Sequence, residues 1–243
     1  MAAGLERIDK ILAHLGFGTR KEVKRLLRAG GVRVDGRVVR DPGMKLDPAR
    51  ARLEVAGEVV VWQRHHHVML YKPAGVVTAT RDARHATVLD CLPASLARKD
   101  LLPVGRLDRD TEGLLLLTTD GALLHRLTHP RWKVPKVYYA ELEQPARPED
   151  AQAFAEGLVL SEGRCLPAEL ELLEDPRRVR LVLWEGRYHQ VKRMFAARGN
   201  RVTYLKRLAV GPLELDPKLK PGEARALGAA GVARLYRAVG LEP

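Results

Sequence analysis

Along the first sixty residues, apolar positions recur in a way that alternates between helical and extended spacing. From Leu5, apolar residues fall at Ile8, Ile11, Leu12 and Leu15, the spacing of a helix with one buried face. Gly16 and Gly18 end it. Thr19, with Glu22 three residues on, forms a capping box that opens a second helix. Val23, Leu26 and Leu27 give that helix its inner face, and Gly30-Gly31 stop it. Val and Arg then alternate from Val32 to Val39 around Asp35-Gly36, which predicts a hairpin with both central residues at positive φ. Turns at Asp41-Pro42-Gly43 and Asp47-Pro48 lead to a strand read from Leu53 to Trp62. The polar stretch Gln63 to His67 reads as a linker or the start of a strand. Adjacent histidines at 65–67 rarely share one coordination face, so no metal site is expected there. The pattern thus predicts a small module over residues 1–62, a boundary near 64, and a second domain over 65–243.

The second domain opens with the buried-type strand Val68–Tyr71, a turn at Lys72-Pro73-Ala74-Gly75, and a continuing strand Val76–Thr78. Its most hydrophobic run is Leu114-Leu115-Leu116-Leu117, between a turn at Gly105–Gly113 and a second turn at Asp120-Gly121. A short helix over Ala122–Leu127 ends at His129-Pro130. The β-branched and aromatic residues of Lys133–Leu142 predict a strand. A helix from Arg147-Pro148 through Phe154 stops at Gly157. Strands follow around Ala168–Leu173 and Val179–Leu183, then a helix starting near Tyr188. An α+β fold with a mixed, mainly antiparallel sheet is expected.

Charge changes this picture. The 243 residues carry 42 Lys and Arg against 30 Asp and Glu, a net +12 with a pI near 10. Such a balance favours a polyanionic partner, nucleic acid ahead of an acidic membrane surface. No apolar stretch approaches the ~18 residues of a membrane span. Glu6, Arg7, Asp9 and Lys10 interrupt any N-terminal apolar leader. Cys91 and Cys165 are far apart, which argues against a disulfide framework or zinc site and for a reducing cytoplasm. The basic residues are concentrated. Between Arg20 and Arg40 there are Arg20, Lys21, Lys24, Arg25, Arg28, Arg33, Arg37 and Arg40, against Glu22 and Asp35. Lys21, Lys24, Arg25 and Arg28 share one helix face opposite the leucines, where like charges repel and a phosphate backbone relieves the repulsion. The string R-I-D-K-I-L…T-R-K-E-V-K-R-L-L…G-V-R-V-D-G resembles the S4 RNA-binding domain.

The candidate chemistry lies in Gly105-Arg106-Leu107-Asp108-Arg109-Asp110-Thr111-Glu112-Gly113, a turn carrying carboxylates among arginines and anchored to four leucines. With Lys72-Pro73-Ala74-Gly75, Lys136-Val137-Tyr138 and Glu185-Gly186-Arg187-Tyr188-His189-Gln190-Val191-Lys192-Arg193-Met194-Phe195, it resembles the pseudouridine synthases that act on small-subunit ribosomal RNA. The likeness covers essentially the whole chain. Large-subunit relatives usually have asparagine and another basic residue where Tyr188-His189 stand.

The resemblance implies a catalytic domain with a central cleft and a list of roles. Asp108 is the catalytic acid, as nucleophile or as base at the ribose. Lys192 supplies the cation beside it, with Arg193 as the less favoured substitute. Tyr138 stacks on the flipped base and could help move the C5 proton, and Arg106 fills the space the base vacates. Arg20, Lys21, Lys24, Arg25, Arg28 and Arg193 complete the RNA contacts. The reaction retains all the substrate's atoms, so no cofactor and no metal are expected. The expected partner is small-subunit ribosomal RNA or its assembly intermediate, modified at a uridine-516-type site by a monomer. Three alternatives stay open: a large-subunit RNA target, a non-catalytic S4-type assembly protein, and a paired-carboxylate hydrolase. The last is disfavoured because Asp108 and Asp110, two residues apart on a loop, are hard to hold at a useful separation.

Overall fold

The apolar spacing of the first thirty residues does produce two helices, α1 over Ile8–His14 and α2 over Arg20–Arg28. They are seen in a computed structural model that describes residues 4–60 and 62–242. The chain divides into two compact units, 1–65 and 66–243. In the first, Ile8, Ile11, Leu12, Val23 and Leu27 are fully buried in one core cluster. The helix starts at Ile8 rather than Leu5. Leu5 is exposed, and Glu6–Arg7 pairs with Lys45–Leu46 as a short ladder. Thr19 and Glu22 make both reciprocal bonds of the capping box.

Strands β1 (Val32–Val34) and β2 (Arg37–Val38) flank Asp35 at φ 50° and Gly36 at φ 79°, the predicted turn. The span read as one strand from Leu53 to Trp62 is instead a hairpin of β3 (Leu53–Val55) and β4 (Glu58–Val60). Ala56 at φ 52° and Gly57 at φ 88° turn the chain between them. Val61, within that span, lies outside the described residues. The sheet order is β2-β1-β3-β4.

The second unit is organised on a nine-stranded sheet. Its strands are β5 (His67–Lys72), β6 (Leu102–Pro103), β7 (Glu112–Thr118), β8 (Lys136–Leu142), β9 (Glu169–Leu172), β10 (Arg178–Leu183), β11 (Val202–Val210), β12 (Leu213–Glu214) and β13 (Ala224–Ala226). The main path runs β9-β10-β8-β11-β7-β5-β13, with β12 on β11 and β6 on β7. Every pairing is antiparallel except β7 with β11, where Glu112 faces Lys206 and Gly113 faces Arg207. Val76–Thr78 does not continue as a strand. Only an isolated bridge joins Val77 to Thr87.

The leucine run is apolar on every position because β7 is covered on both faces, as a central strand must be. Leu114 and Leu116 join the core made with helices α3 (Gly121–Thr128) and α6 (Ala229–Ala238). Leu115 and Leu117 join another with Val88, Leu92, Leu101 and Leu107. Helices α4 (Pro148–Glu156) and α5 (Gln190–Ala196) cover β8, β10 and β11 through Phe154, Met194 and Phe195. Helix α5 begins two residues after the predicted Tyr188, because His189 takes a left-handed conformation at its N-cap. The architecture is α+β.

Candidate active site

Asp108 sits on a loop whose backbone is tied from three directions. Leu107, beside it, is buried in the core under β7. The Thr78 hydroxyl donates to the Leu107 carbonyl at 2.7 Å and accepts from its N–H at 3.1 Å. The backbone N–H of Gly75 donates to the Arg109 carbonyl at 2.8 Å. Lys72, wholly buried, donates from Nζ to the carbonyls of Thr111 at 2.8 Å, Pro73 at 2.9 Å and Arg109 at 3.2 Å. Burial pushes the Lys72 amine down to about 8, partly offset by Asp110 and other nearby acids. The Lys-Pro turn is therefore a brace for the loop, a role the sequence reading did not assign.

Across the cleft, the Glu185–Arg193 segment has a brace of its own. Glu185 accepts from the Leu166 N–H and from Gln190 Nε2 at 2.8 Å. Gln190 Oε1 accepts from the Arg187 N–H at 2.9 Å, and the Arg187 guanidinium holds Glu185 and the Gly163 carbonyl. Glu185, Arg187 and Gln190 thus fix the turn, and the turn fixes α5. Its third residue, Lys192, places Nζ 3.3 Å from Asp108 Oδ2 and 2.6 Å from Asp110 Oδ1. Burial opposes the charge on Lys192, but Asp110 and Asp108 outweigh it and raise its pKa. Burial likewise works against the Asp110 carboxylate, and Lys192 leaves it net lowered. His189 adds Nε2 at 3.5 Å from Asp108 Oδ1. Asp110 and His189 were not among the expected site residues. Arg193 does not substitute for Lys192: its guanidinium is taken by Glu162 and Ser161.

Asp108 opens onto a cleft of about 460 Å³. Arg106, exposed, and Tyr138, half-buried, line it, so Asp108, Lys192, Tyr138 and Arg106 are brought to one region. Tyr138 packs against the cores on both sides of the cleft. Tyr139 faces the other way and meets Tyr204 at 6.2 Å between ring centroids. Lys136 and Arg207 complete the sheet side of the lining. In the first unit, Arg20, Lys21, Lys24, Arg25 and Arg28 are all exposed. An exposed basic helix face can take phosphates, and a clefted carboxylate beside an ammonium can act at a sugar carbon.

Residues 66–197 match the family described as RNA pseudouridylate synthase, and residues 6–49 match the S4 domain. The chain belongs to the RNA pseudouridylate synthase family, enzymes that isomerise uridine in RNA, and it carries an S4 RNA-binding domain. It is 44% identical over 225 residues to an uncharacterised RNA pseudouridine synthase of Bacillus subtilis, covering 91% of this chain and 94% of that one. It is 45% identical over 226 residues to ribosomal small subunit pseudouridine synthase A of Pseudomonas aeruginosa, covering 92% and 97%. The crystal structure of a pseudouridylate synthase superposes with a TM-score of 0.67 at 35% identity, over 94% of this chain and 99% of that one.

Proposed function

We propose that this enzyme converts one uridine of 16S ribosomal RNA, at a uridine-516-type site, to pseudouridine. The observation that carries the catalytic reading is the Asp108–Lys192 ion pair of 3.3 Å at a cleft that Tyr138 also lines. The N1–C1′ bond opens with its electron pair going to the base. The base turns, C5 joins C1′, the C5 proton leaves to solvent, and N1 regains a proton. Asp108 acts at the ribose, as nucleophile or base, and Lys192 compensates its charge. Tyr138 stacks on the extruded base, and Arg106 occupies the place it left, offsetting the few kcal/mol that unstacking costs. Arg20, Lys21, Lys24, Arg25 and Arg28 anchor RNA phosphates, with Arg193 at the motif's end as a further contact once Glu162 yields it. The enzyme works in the cytoplasm, as a monomer, on small-subunit RNA or an assembly intermediate.

The 16S assignment draws support from relatives named for the small subunit at 43–45% identity and from Tyr188-His189 in the motif. Tritium release from RNA labelled at uridine C5 tests it, with small- and large-subunit transcripts and particles assayed separately. Release from small-subunit RNA alone is expected. Release confined to large-subunit RNA overturns the substrate, and release from neither overturns the enzymatic reading.

A further inference from the structure

The sheet side of the cleft carries two cations that no acid answers. Lys136 and Tyr138 alternate on one face of β8, and Arg207 lies opposite Tyr138 on β11. All three line the cleft. Arg207 is 3% exposed. Its Nε donates to the Leu114 carbonyl at 2.8 Å, yet its Nη2 is buried without a hydrogen-bond partner. A buried donor left unmade costs about 1–3 kcal/mol, so an unsatisfied guanidinium nitrogen on a cleft wall calls for an explanation. Thr111, also on the lining, has a buried hydroxyl without a partner. Among the described residues, neither Lys136 nor Arg207 is in an ion pair. Arg207 faces Lys136 from the neighbouring strand; Arg106, Asp108 and Arg109 stand on the loop, and Arg187 and His189 on the turn.

We infer that Lys136 and Arg207 form an anion-holding floor for the detached base, Lys136 at a carbonyl oxygen of uracil and Arg207 behind it, both offsetting the negative charge that develops as the N1–C1′ bond opens. The inference rests on the pseudouridine-forming reading above and deepens it. Heterolysis puts the bonding pair on N1, and delocalisation carries that charge to the two carbonyl oxygens. Two desolvated cations stabilise such an anion more than the neutral uridine, which is what lowers a barrier. Arg207, 3% exposed, is too deeply buried to meet a hydrated phosphate, so its charge acts on the base from behind the cleft wall, while the half-buried Lys136 stands nearer the carbonyl edge. Burial, with Arg207 alongside, pushes the Lys136 amine down to about 8. Its charge is therefore present below that pH and lost above it.

Lys136→Met and Lys136→Arg provide the test, each assayed in single turnover on RNA carrying uridine or 5-fluorouridine at the target. Fluorine makes the departing base a more stable anion. Lys136→Met is expected to slow uridine conversion about 10²–10³-fold, with RNA affinity within a few-fold, and to show a much smaller deficit on 5-fluorouridine. For the wild type, kcat/KM should fall above about pH 8. Lys136→Arg should keep activity while carrying the plateau to higher pH. Equal deficits on both bases, or a Lys136→Arg profile that still falls above about pH 8, overturn the inference. A loss confined to KM and to salt dependence would make Lys136 a phosphate contact instead. A wild type inactive on every RNA defeats the underlying reading, not this floor.

Discussion

Two carboxylates share a single ammonium at the mouth of the cleft. Lys192 lies nearer to Asp110 than to Asp108, at 2.6 Å against 3.3 Å. Asp110 is much the more exposed of the two, with 74% of its side chain accessible against 26%. Its bond to Lys192 is thus the solvent-screened one, and exposed pairs contribute little. Asp108→Asn keeps the shape of the side chain and removes the charge. It is expected to bind RNA as tightly as the wild type and to lose at least ~10³-fold in turnover, as removal of a charged reacting group does. Asp110→Asn should lose less than ~10-fold. Single-turnover rates beside filter-binding affinities check both, and near-normal turnover by Asp108→Asn would mean the wrong acid was chosen. The Asp108–Lys192 partnership was legible because both residues sit in fixed registers of motifs resembling a family. Lys72 and His189 were not. Lys72 acts on three backbone carbonyls, which leave no trace in side-chain spacing. His189 reaches Asp108 from a left-handed backbone, φ 47°, which few non-glycine residues adopt and which no periodicity in the sequence announces.

Strand β7 explains why the loop is held so firmly. Its four leucines are each at most 2% exposed, and burying each contributes roughly 1.5–3 kcal/mol. At the start of that strand Gly113 has φ 108°, and a Cβ there would lie 2.2 Å from the Arg207 carbonyl oxygen. Only glycine lets β7 run parallel to β11 at this point. Gly113→Ala is therefore expected to destabilise by ~2 kcal/mol or more through backbone strain and clash, and to lower activity with it. Gly121→Ala, at the first position of α3 with open space around its Cβ, should be neutral or slightly stabilising. Thermal unfolding of the pair reads the difference, and equal midpoints would refute the packing argument. Elements of this kind were readable where periodicity and turn chemistry agreed: the capping box, the Asp35-Gly36 hairpin and the leucine strand. The β3–β4 hairpin was missed because its turn begins at Ala56, a residue that gives no turn signal. The parallel register of β7 and β11 was hidden because its partners lie far apart in sequence.

Across the whole chain, the surplus of +12 is not spread evenly. The first unit has its own core around Ile8, Leu12, Leu27 and Leu53, and the other three cores draw only on residues beyond 66. The basic face proposed to anchor RNA can therefore be altered without touching the cores of the second unit. Lys21→Ala, Lys24→Ala, Arg25→Ala and Arg28→Ala in one chain should raise the Kd for RNA and leave kcat at saturating RNA unchanged. Each lost phosphate contact should flatten the slope of log K against log salt by roughly 0.7–0.9. An unaltered salt slope would remove this helix face from the RNA contacts.

The pairing of β13 with β5 bears on how the protein is made. Arg225 lies opposite Met69, and the Tyr71 N–H bonds the Glu223 carbonyl at 2.9 Å. The earliest strand of the second unit is thus covered on its outer edge by one of the latest. On a translating ribosome that edge stays bare until residues beyond 220 have emerged. Such long-range pairing is slow, and bare edges invite wrong partners, so newborn chains will depend more on chaperone protection than finished ones.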